Sequence, residues 1–297
     1  IGFYGIQALT LLKGVFILHG TGVGGGSLVY ANNLLVPPDE AFDNPVWGGP
    51  GWKEKLSPFY EKAKIMLGVT KSEVLTHADK LLQECAEDAG IGDTFHVNDV
   101  GVYFGEQGVT VSDPYFDGQG PDRTGCILCG GCMVGCRHGA KNTLDMNYLF
   151  LAEKLGVDII PETRVMDVQP NDSENYILIT RKVTGIVKRK NIYHAAGVVF
   201  SGGVMGTVKL LHRCKSNGSL PNISQQLGNF VRTNSEAIQG VVAKRKDIDY
   251  SKGIAITSGI NPDKNTHIET CRYGKGQGAM SLLATLLVDK HDYVPRP

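Results

Sequence analysis

The sequence predicts an α/β fold joined to an α+β part that is dominated by antiparallel sheet. Glycine clusters at 22–27 and 201–206 each follow an apolar run and lead into a helical pattern. Segments between 157 and 195 have strand patterns separated by turn residues, and the strand pattern continues beyond about 236. The first observation is typical of α/β units, and the other two indicate antiparallel sheets.

The composition is that of a globular protein without an excess of either charge. Thirty basic residues balance thirty acidic ones, so we expect no nucleic-acid-binding surface. The apolar stretch 8–18 is interrupted by Thr10, Lys13 and Gly14, and it is too short to span a bilayer. Four of the seven cysteines cluster and three are scattered, which is unlike a disulfide framework. We therefore expect a small-molecule partner, no transmembrane segment and a cytoplasmic location.

The first half of the chain predicts one mixed block, two helices and a loop-rich segment. In block 1–36, two apolar runs flank the glycine cluster and predict a strand or helix, a loop and a helix. A helix begins at Ser57, with proline at its first position, and ends at Gly68. A second helix is predicted at about 77–89, and residues 91–125 predict short strands and loops.

The second half predicts two helices among many strands. Asn142 caps a helix that Gly156 ends, and a helix at 205–215 follows the second glycine cluster. Strands are predicted at 157–161, 163–169, 175–183, 185–195, 198–203, 237–245, 253–260, 266–273 and 280–288. Those at 163–169, 175–183 and 185–195 form an antiparallel meander in this interpretation.

A run of cysteines, CILCGGCMVGC, has the spacing C-x2-C-x2-C-x3-C, which is that of bacterial ferredoxins. The candidate metal ligands are Cys126, Cys129, Cys132 and Cys136. A [4Fe-4S] cluster would take three thiols of the run plus Cys136 or a remote thiol, Cys214 or Cys271. Zinc fits less well, because structural zinc sites normally split their ligands into two separated pairs. A cysteine-rich loop without metal is the third alternative.

The two glycine clusters have the features of ligand cradles. Residues without Cβ let backbone N–H groups approach a phosphate or a ring in GVGGGS (22–27). SGGVMG (201–206) feeds a helix N-terminus, where a pyrophosphate binds favourably. A tight structural turn and close helix–strand packing are the alternatives. Neither cluster has the full G-x-G-x-x-G with an acidic residue some twenty positions later.

Taken together, four segments resemble the glucose-methanol-choline (GMC) family of FAD-dependent oxidoreductases, and within it the cholesterol oxidase-like branch. The segments are HGTGVGGGSLVYAN, GCMVGCRHGAKNTLDMNYL, TRVMDV and VVFSGGVMGTVKLLHRCKSNGSLPNIS. The resemblance covers about 14–285. It implies a partial, Rossmann-like FAD-binding domain and a substrate-binding domain of antiparallel sheet.

The resemblance also implies a division into domains. Residues 1–36 and 140–235 correspond to a discontinuous partial FAD-binding domain, and 37–139 to a helical, cysteine-rich insertion or lid. Residues 236–297 correspond to the start of the substrate-binding domain. The amino-terminal dinucleotide fingerprint and the carboxy-terminal catalytic histidine of the family have no counterpart here. We therefore expect an interior segment of a longer protein, inactive alone, whose signal peptide would be lost with the missing start.

Site residues follow from the resemblance position by position. The residues matched to FAD contacts are Gly24, Gly25, Gly26, Ser27, Asn32, Asn33, Val165, Gly203 and Gly206. By analogy within this branch, Glu269 lies near a substrate-domain glutamate that can move a proton during steroid isomerisation. His267 lies two positions earlier on the same strand face, so the two side chains are suited to acid–base chemistry. An exposed or paired carboxylate on a solvated strand is the alternative for Glu269.

The implied function is FAD-linked oxidation of a sterol-like alcohol, with hydride transfer to the flavin and electrons passed to oxygen or a redox protein. Many members of this family carry a similar cysteine segment and use flavin alone, which supports the loop without metal as an alternative. A cluster would instead favour a dehydrogenase that relays electrons from the flavin. The competing class is an iron-sulfur electron-transfer module that uses the run 126–136.

Overall fold

The computed structural model describes residues 5–12, 15–48, 50–171, 175–232, 234, 236–276, 278–279 and 282. The α-helices of this part are α1 (Asp39–Phe42), α2 (Trp52–Met66), α3 (His77–Asp88), α4 (Tyr148–Lys154) and α5 (Gly203–Ser216). The strands are β1 (Gln7–Leu12), β2 (Val15–Gly20), β3 (Thr70–Lys71), β4 (His96–Val97), β5 (Asp99–Val100), β6 (Thr110–Val111), β7 (Arg123–Thr124), β8 (Thr163–Asn171), β9 (Asn175–Lys182), β10 (Lys190–Ala195), β11 (Ile256–Asp263) and β12 (Thr266–Cys271). Short 3-10 turns lie at Gly25–Leu28, Pro45–Trp47, Gly92–Thr94, Cys132–Val134 and Leu144–Met146.

The strands form small antiparallel sheets. The two three-stranded sheets have the orders β10-β9-β8 and β12-β11-β4, and three two-stranded sheets pair β1 with β2, β3 with β5 and β6 with β7. Every strand ladder in the described ranges is antiparallel. Helices mixed with antiparallel sheets fit the predicted mixed class at this coarse level.

Two helices begin where the sequence did not predict. Helix α2 starts at Trp52, five residues before the expected Ser57, and Pro58 lies inside it. The indole nitrogen of Trp52 donates to the Trp47 carbonyl at 2.7 Å, and this hydrogen bond fixes the first residue of the helix. Helix α4 starts after Asn147, because that residue has φ −141° and ψ −95° and interrupts the expected helix from Asn142.

The meander at 163–195 is confirmed as β8, β9 and β10, but three other strand predictions were wrong. No strand forms at 157–161, 198–203 or 237–245 in the described chain. The expected helix after the first glycine cluster is a single 3-10 turn, preceded by the β1–β2 hairpin. The predicted strand 280–288 lies, except for Leu282, outside the described residues.

The core that positions the site surrounds the cysteine run. Its buried members are Val100, Val102, Cys132, Met133, Ala140, Ile254 and Ala255. The backbone of Gly130 donates to Gly253 at 2.8 Å, and Gly253 donates to Leu128 at 2.9 Å. The run is therefore tied to the segment that leads into β11, and Cys132 and Met133 belong to the core, whereas Cys129 is exposed.

A buried ion pair joins α3 to the sheet that carries the site. Asp79, in the first turn of α3, lies 3.3 Å from the Arg272 guanidinium, and the two side chains are 0% and 3% exposed. Asp79 also accepts hydrogen bonds from the hydroxyl groups of Thr257, Ser258 and Thr270 on β11 and β12. Helix α3 is thereby fixed to both strands.

Candidate active site

The first glycine cluster folds back against the end of β2. Gly24 and Gly25 have φ values of +99° and +55°, which other residues rarely adopt. A Cβ on Gly20 would lie 2.5 Å from the Gly25 carbonyl oxygen, so only glycine permits this approach. A Cβ on Gly25 or Gly26 would meet nothing within 4 Å. Open space beside glycine backbone is what a cradle for a ring or phosphate requires.

Ser27 holds this turn in place instead of presenting a free hydroxyl. Its Oγ donates to the Gly24 carbonyl at 2.7 Å and accepts from the Leu144 backbone N–H at 2.9 Å. The cluster is therefore attached to the 3-10 turn before α4. This is the segment that the sequence had assigned to a longer helix.

The two neighbouring asparagines after the cluster have different tasks. Asn32 is fully buried with φ +63°, its amide donates to the Ile256 carbonyl, and its Oδ1 accepts from the Ala255 N–H, both at 2.9 Å. Asn33 instead donates to Oε1 of Glu269. Asn32 therefore joins the glycine segment to β11, while Asn33 reaches the predicted catalytic carboxylate.

Glu269 lies at the centre of a polar cluster on one face of the β4–β11–β12 sheet. Asn98 donates to the same oxygen, Oε1, at 2.6 Å. His267 Nδ1 lies 3.8 Å from Oε1, so the predicted histidine–glutamate pair does form. The His267 ring stacks on His96, with centroids 5.2 Å apart and an interplanar angle of 19°. The sequence analysis singled out neither Asn98 nor His96.

Gly259 makes room for the stacked histidines. It lies opposite Glu269 in β12 and opposite His96 in β4. A Cβ at this position would overlap Nε2 of His267 and lie 3.2 Å from Nε2 of His96. The glycine therefore allows both rings to cover the central strand. Strand pairing was needed to find this role, because nothing in the local sequence marks it.

Burial shifts the two ionisable groups of the pair toward their neutral forms. It raises the pKa of Glu269, and the hydrogen bonds from Asn98 and Asn33 oppose that change in part. It also lowers the pKa of His267, and the neighbouring His96 adds to this effect. Glu269 thus takes up a proton more readily than an exposed glutamate, as a proton carrier must.

The cysteine run lines a small cavity. Its four cysteines, Cys126, Cys129, Cys132 and Cys136, line this cavity together with His138 and Lys141. Burial raises the pKa of Cys132 to about 12 and also raises that of Cys126. In the described part of the chain, no three His, Cys, Asp or Glu side chains are placed to hold a metal ion. The structure therefore gives the [4Fe-4S] alternative no support.

Lys141 connects the cysteine run to the glycine segment. Its ammonium donates to the carbonyl oxygens of Leu28, Tyr30 and Cys132 at 3.1, 3.0 and 2.7 Å. It also lies 4.5 Å from the centre of the Tyr30 ring. The residue is 1% exposed, and burial lowers its pKa to about 8. The cysteine run thus helps to shape the backbone that follows the glycine cluster.

The remaining predicted cofactor residues lie on the unit formed by β8–β10 and α5. Val165 pairs with Thr180 in β9. Gly203, with φ +66°, is the first residue of α5, and a Cβ on Gly203 or Gly206 would meet nothing within 4 Å. Across the residues that the structure covers, no hydrogen bond joins these three positions to the first glycine cluster. The structure thus brings Asn33, His267 and Glu269 together and leaves Val165, Gly203 and Gly206 on another unit.

The comparisons confirm that the chain is similar to cholesterol oxidases. The chain is 45% identical over 298 aligned positions to a cholesterol oxidase of Mycobacterium tuberculosis (strain H37Rv), covering 97% of this chain and 52% of that protein. It is 44% identical over 295 positions to a cholesterol oxidase of Acinetobacter baumannii, with 96% and 53% covered. The chain spans about half the length of the curated relatives it matches. No family model matches it.

No helix of the described ranges combines the length and the apolar character that crossing a membrane requires. The cytoplasmic location stays a prediction.

Proposed function

We propose that the full-length protein oxidises the CH–OH group of a sterol-like alcohol with FAD, and that this chain supplies part of the flavin site and an acid–base residue. One observation carries the proposal: Asn33, next to the glycine cluster, donates to Glu269, which lies 236 positions later. A segment matched to the cofactor and a carboxylate matched to proton transfer are thus in direct contact. The names of the relatives support a sterol as substrate.

The residues present fit a flavin. Glycine backbone with open space beside Gly25 and Gly26 suits a flat group or phosphate, and Oδ1 of Asn33 is buried without a partner. We assign Gly24–Ser27 and Asn33 to the cofactor side of the site. In the proposed Rossmann-like arrangement, Val165, Gly203 and Gly206 would form a second contact region, and the N-terminus of α5 would suit a phosphate. Bound FAD supplies the acceptor for hydride from the alcohol carbon.

Glu269 moves a proton next to the reacting group. Its carboxylate takes a proton from the carbon beside the new carbonyl and returns it at another carbon, so the double bond migrates without net proton change. The raised pKa of Glu269 suits both steps, because it brings the carboxyl nearer to the working pH. His267 stays neutral beside it, since burial and His96 lower its pKa. The electron acceptor, oxygen or a redox protein, stays a prediction.

The test is purification of the full-length protein, followed by its absorbance spectrum and an assay with a 3β-hydroxysteroid. We expect a flavin spectrum, oxidation of the alcohol and migration of the double bond. Glu269→Gln should keep the flavin and the oxidation but slow the migration by about a hundredfold or more. Glu84→Gln, on the exposed side of α3, is the matched control and should change neither rate.

Two results would overturn the proposal. The first is a protein that contains iron and sulfide but no flavin, as expected for the alternative electron-transfer module. The second is a flavoprotein that oxidises no steroid alcohol.

A further inference from the structure

Two amide side chains hold one oxygen of Glu269 and leave the other without either contact. Asn33 and Asn98 come from separate segments, and both donate to Oε1. The side chain of Glu269 is 22% exposed, so an outside group can reach the carboxyl. A carboxylate held at one oxygen can present the second in a fixed direction.

Asn98 is held firmly enough to act as a fixed donor. The side chain is fully buried between β4 and β5. Its backbone N–H donates to the Thr257 carbonyl, and its carbonyl accepts from the Ser72 N–H, both at 3.0 Å. The backbone is therefore fixed from both sides, once by β11 and once by the segment after β3.

Asn33 is attached to the same strand region. It forms a β-bridge with Val100, and the N–H of Leu34 donates to the Asp99 carbonyl at 2.9 Å. Asn98 directly precedes β5, and Asn33 is bridged to it, so both amide donors lie beside this strand.

Both amides give up a second hydrogen bond to make this contact. Within the described ranges, Oδ1 of Asn33 and Oδ1 of Asn98 are buried and have no hydrogen-bond partner. An unpaired buried oxygen costs free energy, and a purely structural asparagine normally satisfies both ends, as Asn32 does. The orientation of Asn98 is therefore set by Glu269, which indicates a task at that carboxylate.

We propose that Asn98 and Asn33 are positioning residues that hold Oε1 of Glu269, so that Oε2 exchanges the proton with the substrate. This inference rests on the proposed function for the role of Glu269, but the two-amide contact itself is testable without activity. This two-amide contact, called the clamp below, also stabilises the ionised form of Glu269, because both amides donate to the carboxylate. Removing one donor should therefore make the carboxylate harder to form.

The other ionisable groups around Glu269 are left unchanged when Asn98 is replaced. His267 lies on its own strand and His96 on β4. Glu236 and Cys271 also act on the carboxyl electrostatically. Because none of these is changed, a shift on removing Asn98 reports the amide.

The experiment compares Asn98→Ala and Asn98→Asp in the full-length flavin-loaded protein. Asn98→Asp keeps the shape and replaces the donor with a second carboxyl, so it covers the case in which Asn98→Ala fails to fold. Asn261→Ala is the control, since that exposed amide on β11 donates to the Thr266 carbonyl and lies outside the cluster. The first measurement is the NMR titration of the carboxyl carbon of Glu269, assigned with Glu269→Gln. The second is the pH dependence of double-bond migration.

We expect Asn98→Ala to raise the pKa of Glu269 by about one unit, which is the order of a hydrogen bond to an ionised group. Asn98→Asp should raise it further, and the acidic limb of the migration profile should move by the same amount in both. A titration that matches wild type in both Asn98 variants would overturn the inference. If wild type shows no steroid chemistry, the proposed function fails, while the NMR titration still decides whether the clamp exists.

Discussion

Replacing Asp79 with asparagine should destabilise the protein strongly. The substitution keeps the shape but removes the charge that pairs with Arg272 at 3.3 Å, in a setting where both side chains are almost completely buried. Breaking a buried ion pair by removing one partner costs about 3–5 kcal/mol, because the remaining charge is left uncompensated. We expect Asp79→Asn to lose that much of the free energy of unfolding at pH 7.

The pH dependence of the stability gives a second, independent measure of what Asp79 contributes to the free energy of unfolding. Burial alone would raise the pKa of Asp79, but hydrogen bonds from Ser258, Thr257 and Thr76 outweigh it and lower the pKa to about 2 from 3.8. A lowered carboxyl pKa stabilises the folded state above pH 3.8, and this contribution is lost as pH falls through 2. The difference in the free energy of unfolding between wild type and Asp79→Asn should therefore decrease by about 1 kcal/mol from pH 7 to pH 3.

Urea unfolding at both pH values measures these differences. The control is Asp39→Asn, because Asp39 pairs with Lys53 at the surface, where the two side chains are 68% and 53% exposed. That variant should unfold like wild type, since exposed pairs contribute little. Two results would refute a buried, stabilising ion pair. One is a loss of less than about 1 kcal/mol in the free energy of unfolding of Asp79→Asn, and the other is a difference from wild type that does not change with pH.

Three further outcomes follow from single positions. Gly259→Ala should displace His267, because the added Cβ overlaps its ring; NMR titration should show the lowered pKa of His267 return toward its ordinary range, and an unchanged pKa would contradict this. The pKa of Lys141 is lowered to about 8, so the unfolded chain binds more protons between pH 8 and 10.5 and stability rises with pH. The stability of wild type relative to Lys141→Met should thus grow by about 1 kcal/mol from pH 7 to 9 in urea unfolding, and a constant difference would count against it. Alkylation followed by mass spectrometry should modify exposed Cys129 well before buried Cys132, and the reverse order would argue against the packing.

Local signals in the sequence predicted those parts of the fold that depend on neighbouring residues. Alternating patterns and turn residues located the meander β8–β10, and periodicity located α3 and α5. The prediction was wrong where a distant contact decides the outcome. Asn142 was expected to cap α4, but its Oδ1 accepts from the buried guanidinium of Arg123 at 3.1 Å and its amide donates to the Gly68 carbonyl. No helix-capping rule contains that information.

The candidate site was predictable in part for the same reason. The resemblance supplied Asn33 and Glu269, and strand alternation supplied His267. Asn98 and His96 were not predicted, because only the pairing of β4 with β11 brings them close to Glu269. A polar residue in the segment FHVNDV has no local feature that distinguishes a buried donor from a solvated turn.

The cysteine run shows how a strong spacing signal can have another physical basis. A metal site requires the thiols to converge on one ion. In this structure the backbone of the run makes a hydrogen bond that supports the fold. The Cys132 carbonyl accepts from Lys141, and Lys141 in turn holds the carbonyls of Leu28 and Tyr30. Small thiols and glycines pack tightly enough for a buried lysine to reach across. The run is therefore coupled through Lys141 to the glycine segment, and that segment is coupled through Asn33 to Glu269.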